Sequence, residues 1–349
     1  MDWIALGSVA CVMALACAGC GEHPTPASDP ANSGGAGGAA GSGGSAGREL
    51  PPPGASLAFS IELPEVTLEP GDEVSPCYIF PLDLPADHVF INAARVITSE
   101  GMHHGNVTTR KATGTGIREC GPDEGGIAGG EATDVLSGGA VLFGSSTQLV
   151  GEEWHAFPQG MAYRVKQGYE IVARMHYLNV SPKVVKVAPS YEWYAIECSQ
   201  LTEELAPFAW AFGGFHIPPR TEHTVSSECW LTQQMKVIDA MPHMHALGTR
   251  FFASFVGGAR DGEYWLDDQG FDEASDIYQY TPAVDIGQGD GVTFGCTWNN
   301  TFDKEIVEGI GDNEMCILFG YGYPATQTYS IYATENSCLP VLPPPPDAP

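Results

Sequence analysis

The chain is expected to be all-β, folding as two antiparallel β-sandwich (jelly-roll-like) domains in tandem. Three observations predict this. Gly (43) and Pro (27) supply about a fifth of the 349 residues, which favours short strands joined by many turns over a helical bundle. Apolar residues recur with period two, and no segment sustains a helical period over three turns. The foldable length, residues 55–340, suffices for two domains of ordinary size.

The elements follow in chain order. Residues 1–20 read as an export signal. Trp3 to Ala18 is an almost unbroken run of apolar and small residues, too short for a membrane span, and it leads into Cys17-Ala18-Gly19-Cys20. Small residues directly before a cysteine resemble a bacterial lipobox, in which Cys20 is diacylated and becomes the mature N-terminus. Two features depart from that pattern: Cys17 stands where leucine is usual, and no Lys or Arg precedes the apolar run. An ordinary secretory signal cut nearby is the alternative. Both readings export the protein; the first leaves it membrane-tethered through lipidated Cys20 at the bacterial cell envelope, on the outer membrane or cell surface. Residues 21–54 form a tether, since 33–47 is only Gly, Ala and Ser and Pro51-Pro52-Pro53 closes it. Residues 341–349 are a Pro-rich tail.

Between tether and tail, Leu57, Phe59, Ile61 and Leu63 alternate with Ala58, Ser60 and Glu62, a strand with one buried face. Further β-like runs are 89–97, 170–177, 235–240, 250–256, 291–298 and 316–323. The polar stretch Ser199-Gln200-Leu201-Thr202-Glu203-Glu204, before Pro207, marks the seam, giving domains 55–203 and 204–340.

Composition bounds the partners. Fifteen Lys and Arg against 43 Asp and Glu leave a formal charge of −28, which repels phosphate backbones and excludes nucleic acid as a partner class. Charged residues are only 17% of the chain and apolar ones 43%, so it is no disordered polyelectrolyte. Cys11, Cys17 and Cys20 belong to the export segment. Cys77, Cys120, Cys198, Cys229, Cys296, Cys316 and Cys338 remain, and no Cys-x-x-Cys pair occurs among them. In an oxidising compartment such cysteines form disulfides. Seven is odd, so at least one thiol is left over or pairs between chains, and spacing alone leaves the connectivity open.

Histidines carry the candidate chemistry. His103 and His104 are adjacent, His176 lies inside a strand-like run, and His243 and His245 form an H-x-H. Residues i and i+2 of a strand face one side, so His243 and His245 can share a metal without contortion. His103 and His104 can do so only at a bulge, strand end or turn, which Gly105 permits. Taken singly, each motif also reads as ordinary strand histidines. His23, His88, His155, His216 and His223 lie in the tether or in turn-like or polar surroundings and read as surface or hydrogen-bonded residues. Met315, entering an apolar strand, is ordinary core filler unless its thioether faces the H-x-H pair. In that case the metal is copper, because zinc rarely takes a thioether whereas Cu(I) accepts one beside imidazoles.

Taken in order, His103-His104, His176-Tyr177, His243-x-His245-x-Leu247-Gly248 and Glu314-Met315-Cys316 resemble the type II ascorbate-dependent copper monooxygenases, which include the peptidylglycine α-hydroxylating and dopamine β-hydroxylating enzymes. The resemblance runs from about Leu57 to Cys338. It implies two copper ions per chain on two β-sandwich domains, with O2 and ascorbate or a similar one-electron reductant as co-substrates. His103, His104 and His176 would hold the electron-donating copper; His243, His245 and Met315 would hold the copper that meets O2 and form the catalytic set. It also implies bridges Cys77–Cys120, Cys229–Cys338 and Cys296–Cys316, leaving Cys198 as the odd thiol. Departures narrow the substrate. Met241 stands where the peptide-amidating branch grips a carboxylate with arginine, and Ile317 and Phe319 stand where that branch is polar. Arg174 occupies a glutamine-like position before the third histidine, which puts an electron path through it in doubt.

The expected function is therefore hydroxylation of a C–H bond on a small neutral or apolar substrate, not on peptidylglycine. The alternative is a surface lipoprotein that keeps the fold and binds copper or a substrate without turnover.

Overall fold

Alternating residues assemble into sheets stacked in layers. The computed structural model describes residues 50–114, 116–121, 134, 138–145, 149–231, 233–271, 277–309, 313–325 and 329–340. The export signal with Cys20, the tether up to residue 49 and the Pro-rich tail lie outside these. Strands dominate, as expected, and the periodic runs are found as Ser56–Glu62, His88–Thr98, Tyr169–Leu178, Met235–His243, Gly248–Val256, Gly291–Asn299 and Ile317–Tyr323. Among the described residues no helix is long and apolar enough to cross a membrane.

One sheet spans both halves of the chain. Its main path runs Ser56–Glu62, Ser190–Ile196, His88–Thr98, Met161–Lys166, Glu203–Phe212, Ile317–Tyr323, Met235–His243 and Tyr278–Ile286. Most neighbours are antiparallel, but the path passes from the first half to the second through a parallel pairing, Met161↔Glu203 to Tyr163↔Leu205. Each half adds a second sheet. In the first half it contains Cys77–Pro81, Tyr169–Leu178, Met102–Lys111 and Val141–Gly144; in the second it contains Glu222–Trp230, Gly291–Asn299, Gly248–Val256 and Tyr264–Gln269. An apolar core fills each sandwich, around Tyr191, Trp193, Phe143 and Tyr163 in the first half and Trp210, Trp298, Phe251 and Phe294 in the second. A third, smaller cluster lies at the seam: Val141 from the first half packs with Ala209, Ala211, Met241, Met315, Ile317 and Phe319.

Hydrogen bonds fasten the two halves together. The Tyr321 hydroxyl donates to the Val141 carbonyl, while Gln279 Nε2 donates to Ala156 O at 3.0 Å. Burial raises the hydroxyl pKa of Tyr163, Tyr191 and Tyr321 above the ordinary value. Their protons stay in the fold, whereas the unfolded chain releases them near pH 10. Stability is therefore intact below pH 10 and falls above it, by up to about 1.4 kcal/mol per pH unit for each tyrosine. In an alkaline titration the three tyrosinates should absorb at 295 nm only as near-ultraviolet circular dichroism collapses. The chain has 13 tyrosines, so a rise that reaches its full amplitude before the collapse would contradict the burial argument.

Three disulfides match the pairing implied by the resemblance, Cys77–Cys120, Cys229–Cys338 and Cys296–Cys316. Cys198 corrects the expectation. It is disulfide-bonded, with its partner outside the described residues, and so is not a leftover thiol.

Candidate metal centre

The first histidine set depends on a break in strand regularity. Met102–Lys111 pairs with Tyr169–Leu178 so that His104 opposes His176 while Tyr177 opposes Met102, which leaves His103 as an extra residue. Two successive side chains thereby escape strict alternation, as the adjacent histidines require. His103, His104 and His176 each offer a ring nitrogen, and these nitrogens all lie within 4.8 Å of one another. The Nδ1 atoms of His103 and His104 approach to 2.9 Å. His176 Nε2 bonds Glu73 Oε1 at 2.7 Å, an arrangement that fixes the ring and keeps Nδ1 as its metal-facing nitrogen. Sequence reading missed Glu73. It sits in the two-residue strand Glu73–Val74 with no motif around it, and only the pairing with Tyr177–Leu178 brings it close.

Burial favours the neutral form of His103 and His104. The His103 pKa is lowered, first by burial and then by His176, with Glu73 opposing. The His104 pKa is lowered well below the ordinary value, first by burial and then by the charges of His176, His243, His103 and His245. Neutral imidazole is the metal-binding form. Geometry brings the two histidine sets to one seam: Val141–Gly144, paired with the strand of His103 and His104, packs against Met241 on the strand of His243.

The second set stands on the seam-facing side of the large sheet. His243 opposes Ile317, and Met241 opposes Phe319. Ile317 and Phe319 belong to the seam cluster with Met315, whereas Cys316 and Leu318 belong to the core behind. Alternation therefore places Met241, His243 and Met315 on one face. The His243 and His245 rings are 5.4 Å apart between centroids. His245 Nδ1 bonds Asn313 O at 2.7 Å, which fixes the tautomer and leaves Nε2 for a metal.

Glu314 ties the two ligand segments together. Its Oε2 accepts from the His245 amide at 2.8 Å and from Trp298 Nε1 at 2.9 Å, and its Oε1 accepts from the Leu247 amide at 2.7 Å. Burial raises its pKa, against the pull of the His245 amide and charge, the Leu247 amide and Trp298. The sequence motif contained Glu314, but its role emerges only from these contacts.

The surroundings are hydrocarbon. Met241, Ile317 and Phe319 line the seam cluster with Val141, Ala209 and Ala211. Gly144 makes room for this lining, because a Cβ there would lie 2.5 Å from Met241 Sδ. Arg174 is engaged elsewhere, where its guanidinium bonds Asp134 Oδ2 at 2.8 Å and Thr108 Oγ1 at 3.1 Å in a buried cluster. His155, read as a surface or hydrogen-bonded residue in turn-like or polar surroundings, is hydrogen-bonded to Asp239, and it lies in the strand Gly151–Ala156 and not in a turn.

The donor sets fit copper. Three converging imidazoles serve either oxidation state, and imidazoles joined by a thioether favour Cu(I). Comparison with known proteins bears on the second set. Residues 211–337 match the model of the copper type II ascorbate-dependent monooxygenase C-terminal domain, which supports that family. The matched span contains His243, His245 and Met315; the first histidine set lies upstream of it. No curated protein matches the chain. Among solved structures, a crystal structure of the STIV MCP aligns at 9% identity and TM-score 0.30, over 76% of this chain and 96% of that one. The atomic structure of Sulfolobus Turreted Icosahedral Virus aligns at 9% identity and TM-score 0.34, over 76% and 91%. Overlaps this slight carry no information on fold or role.

Proposed function

We propose that the protein is a copper-dependent monooxygenase that hydroxylates a C–H bond of a small neutral or apolar substrate, using O2 and an ascorbate-like reductant. The observation that carries this reading is convergence. Three histidines outside the family-matched span gather into one cluster, and the strand paired with theirs, Val141–Gly144, packs against Met241 on the strand of His243. His103, His104 and His176 would hold one copper, and His243, His245 and Met315 the other. When bound, copper supplies the one-electron and O2 chemistry that side chains lack.

The chain's own residues supply position and environment. Glu73 and Asn313 orient His176 and His245. The hydrocarbon wall of Met241, Ile317 and Phe319 excludes water and offers no charge to hold a carboxylate. That wall supports a neutral or apolar substrate over a glycine-extended peptide. The export signal and a lipid anchor at Cys20 complete the proposal, placing the enzyme at the cell envelope.

Copper analysis of the purified chain should give two ions per molecule. Ascorbate should then drive O2 uptake with a panel of neutral C–H substrates and not with a glycine-extended peptide. Two ions without uptake on any substrate would leave a copper-binding surface protein; fewer than two ions would remove the paired-site reading.

A further inference from the structure

From the strand Met235–His243 we infer that Asp239, held by His155, is the positioning residue that turns His243 toward the seam. The strand changes sides partway along its length. Met235 and Val237 face the core of the second half, yet beyond Asp239 it is Ala240 and Met244 that do so. Odd positions face that core before Asp239 and even positions after it. Without this change Met241 and His243 would point into the core, since a one-residue slip reverses every side chain.

The reversal is a β-bulge. Val237 opposes Gly322 and Asp239 opposes Tyr321, so Ile238 is the extra residue against Ile317–Tyr323. Ile238 and Asp239 both turn toward the first half: Ile238 joins its core, and Asp239 meets His155. A bulge costs ladder hydrogen bonds, and the Asp239 carboxylate replaces one. Its Oδ1 accepts from the Tyr321 amide at 2.8 Å. Its Oδ2 accepts from His155 Nε2 at 2.8 Å, on a strand of the first half. Both partners are well buried, with side-chain exposures of 3% for Asp239 and 11% for His155, so the carboxylate cannot exchange these bonds for water. Across from the bulge, Gly320 admits the close approach, since a Cβ there would lie 2.4 Å from Asp239 O.

The facing of the strand is independent of the proposed function; only the copper count below rests on it. The metal-free test is a nuclear Overhauser contact between the Met241 methyl and Gly144, expected from the approach of Met241 Cε to within 2.6 Å of the Gly144 Cβ position. Asp239→Ala should abolish this contact, and Asp239→Asn, whose amide can serve both partners, should restore it. Should Asp239→Ala fail to fold, Gly320→Ala disturbs the same bulge from the opposite strand and should also remove the contact. With copper, Asp239→Ala should fall from two ions per chain to one, keeping the ion at His103, His104 and His176, while Asp239→Asn keeps both. Absence of the contact in the parent chain, or its persistence in a folded Asp239→Ala or Gly320→Ala protein, would overturn the inference. If the contact behaves as expected but the parent takes no copper, the function fails and the positioning role stands.

Discussion

Met315→Leu is expected to fold normally, retain the copper at the three-histidine set and lose at least about 100-fold in ascorbate-driven O2 uptake. Leucine nearly conserves the methionine volume, and such exchanges in a core usually cost less than about 1.5 kcal/mol. Met315 is 6% exposed among Val141, Ala209, Ala211, Ile317 and Phe319, so the shape of the pocket should survive. What leaves is the thioether. Removing a residue that merely orients a ligand typically costs 10- to 100-fold, so removing a ligand should cost at least the upper end of about 100-fold. Two measurements separate the possibilities. Competition with a Cu(I) chelator should show weakened affinity for one ion of two, and X-ray absorption should lose its sulfur scatterer. If uptake and Cu(I) affinity are unchanged, Met315 is core filler and the second site lacks its soft ligand.

Glu314→Ala is expected to cost about 4 kcal/mol in unfolding free energy. Three donors lose a carboxylate at once: the His245 amide, the Leu247 amide and Trp298 Nε1. Each buried donor left unmade costs about 1–3 kcal/mol, and the low end is appropriate because burial already disfavours this carboxylate. Glu314→Gln should fall about halfway, because its amide oxygen satisfies one side while its NH2 group opposes a donor on the other. Denaturant titration measures both. The alanine variant should also lose the second copper, since the Glu314 carboxylate joins the His245 segment to the residue preceding Met315. A loss below about 1 kcal/mol would mean that water replaces the carboxylate and that the residue positions nothing.

Much of this was legible in the sequence because the physics involved is local. Period-two alternation marked the strand at 57–63, and runs of β-branched, aromatic and other apolar residues marked those at 89–97, 170–177, 250–256 and 291–298 to within a residue or two. Strands buried on both sides were not legible by alternation. Met102–Lys111 is polar along most of its length yet largely buried, and Glu203–Phe212 contains Pro207. The histidine motifs could be named, but their partners could not. Glu73 lies 103 positions from His176 and Asp239 lies 84 from His155, separations at which composition and spacing carry no signal.

By itself, then, the sequence determined an all-β chain, its stock of disulfide-forming cysteines and the side chains able to bind a soft metal, because side-chain chemistry and alternation belong to residues and their nearest neighbours. Tertiary structure alone decided which way those side chains point. One extra residue at His103 and another at Ile238 reverse the facing of two strands, and only pairing with a neighbouring strand defines such an extra residue. Facing is a property of register between segments distant in the chain, set by bonds such as Tyr321 to Asp239 that no local pattern encodes.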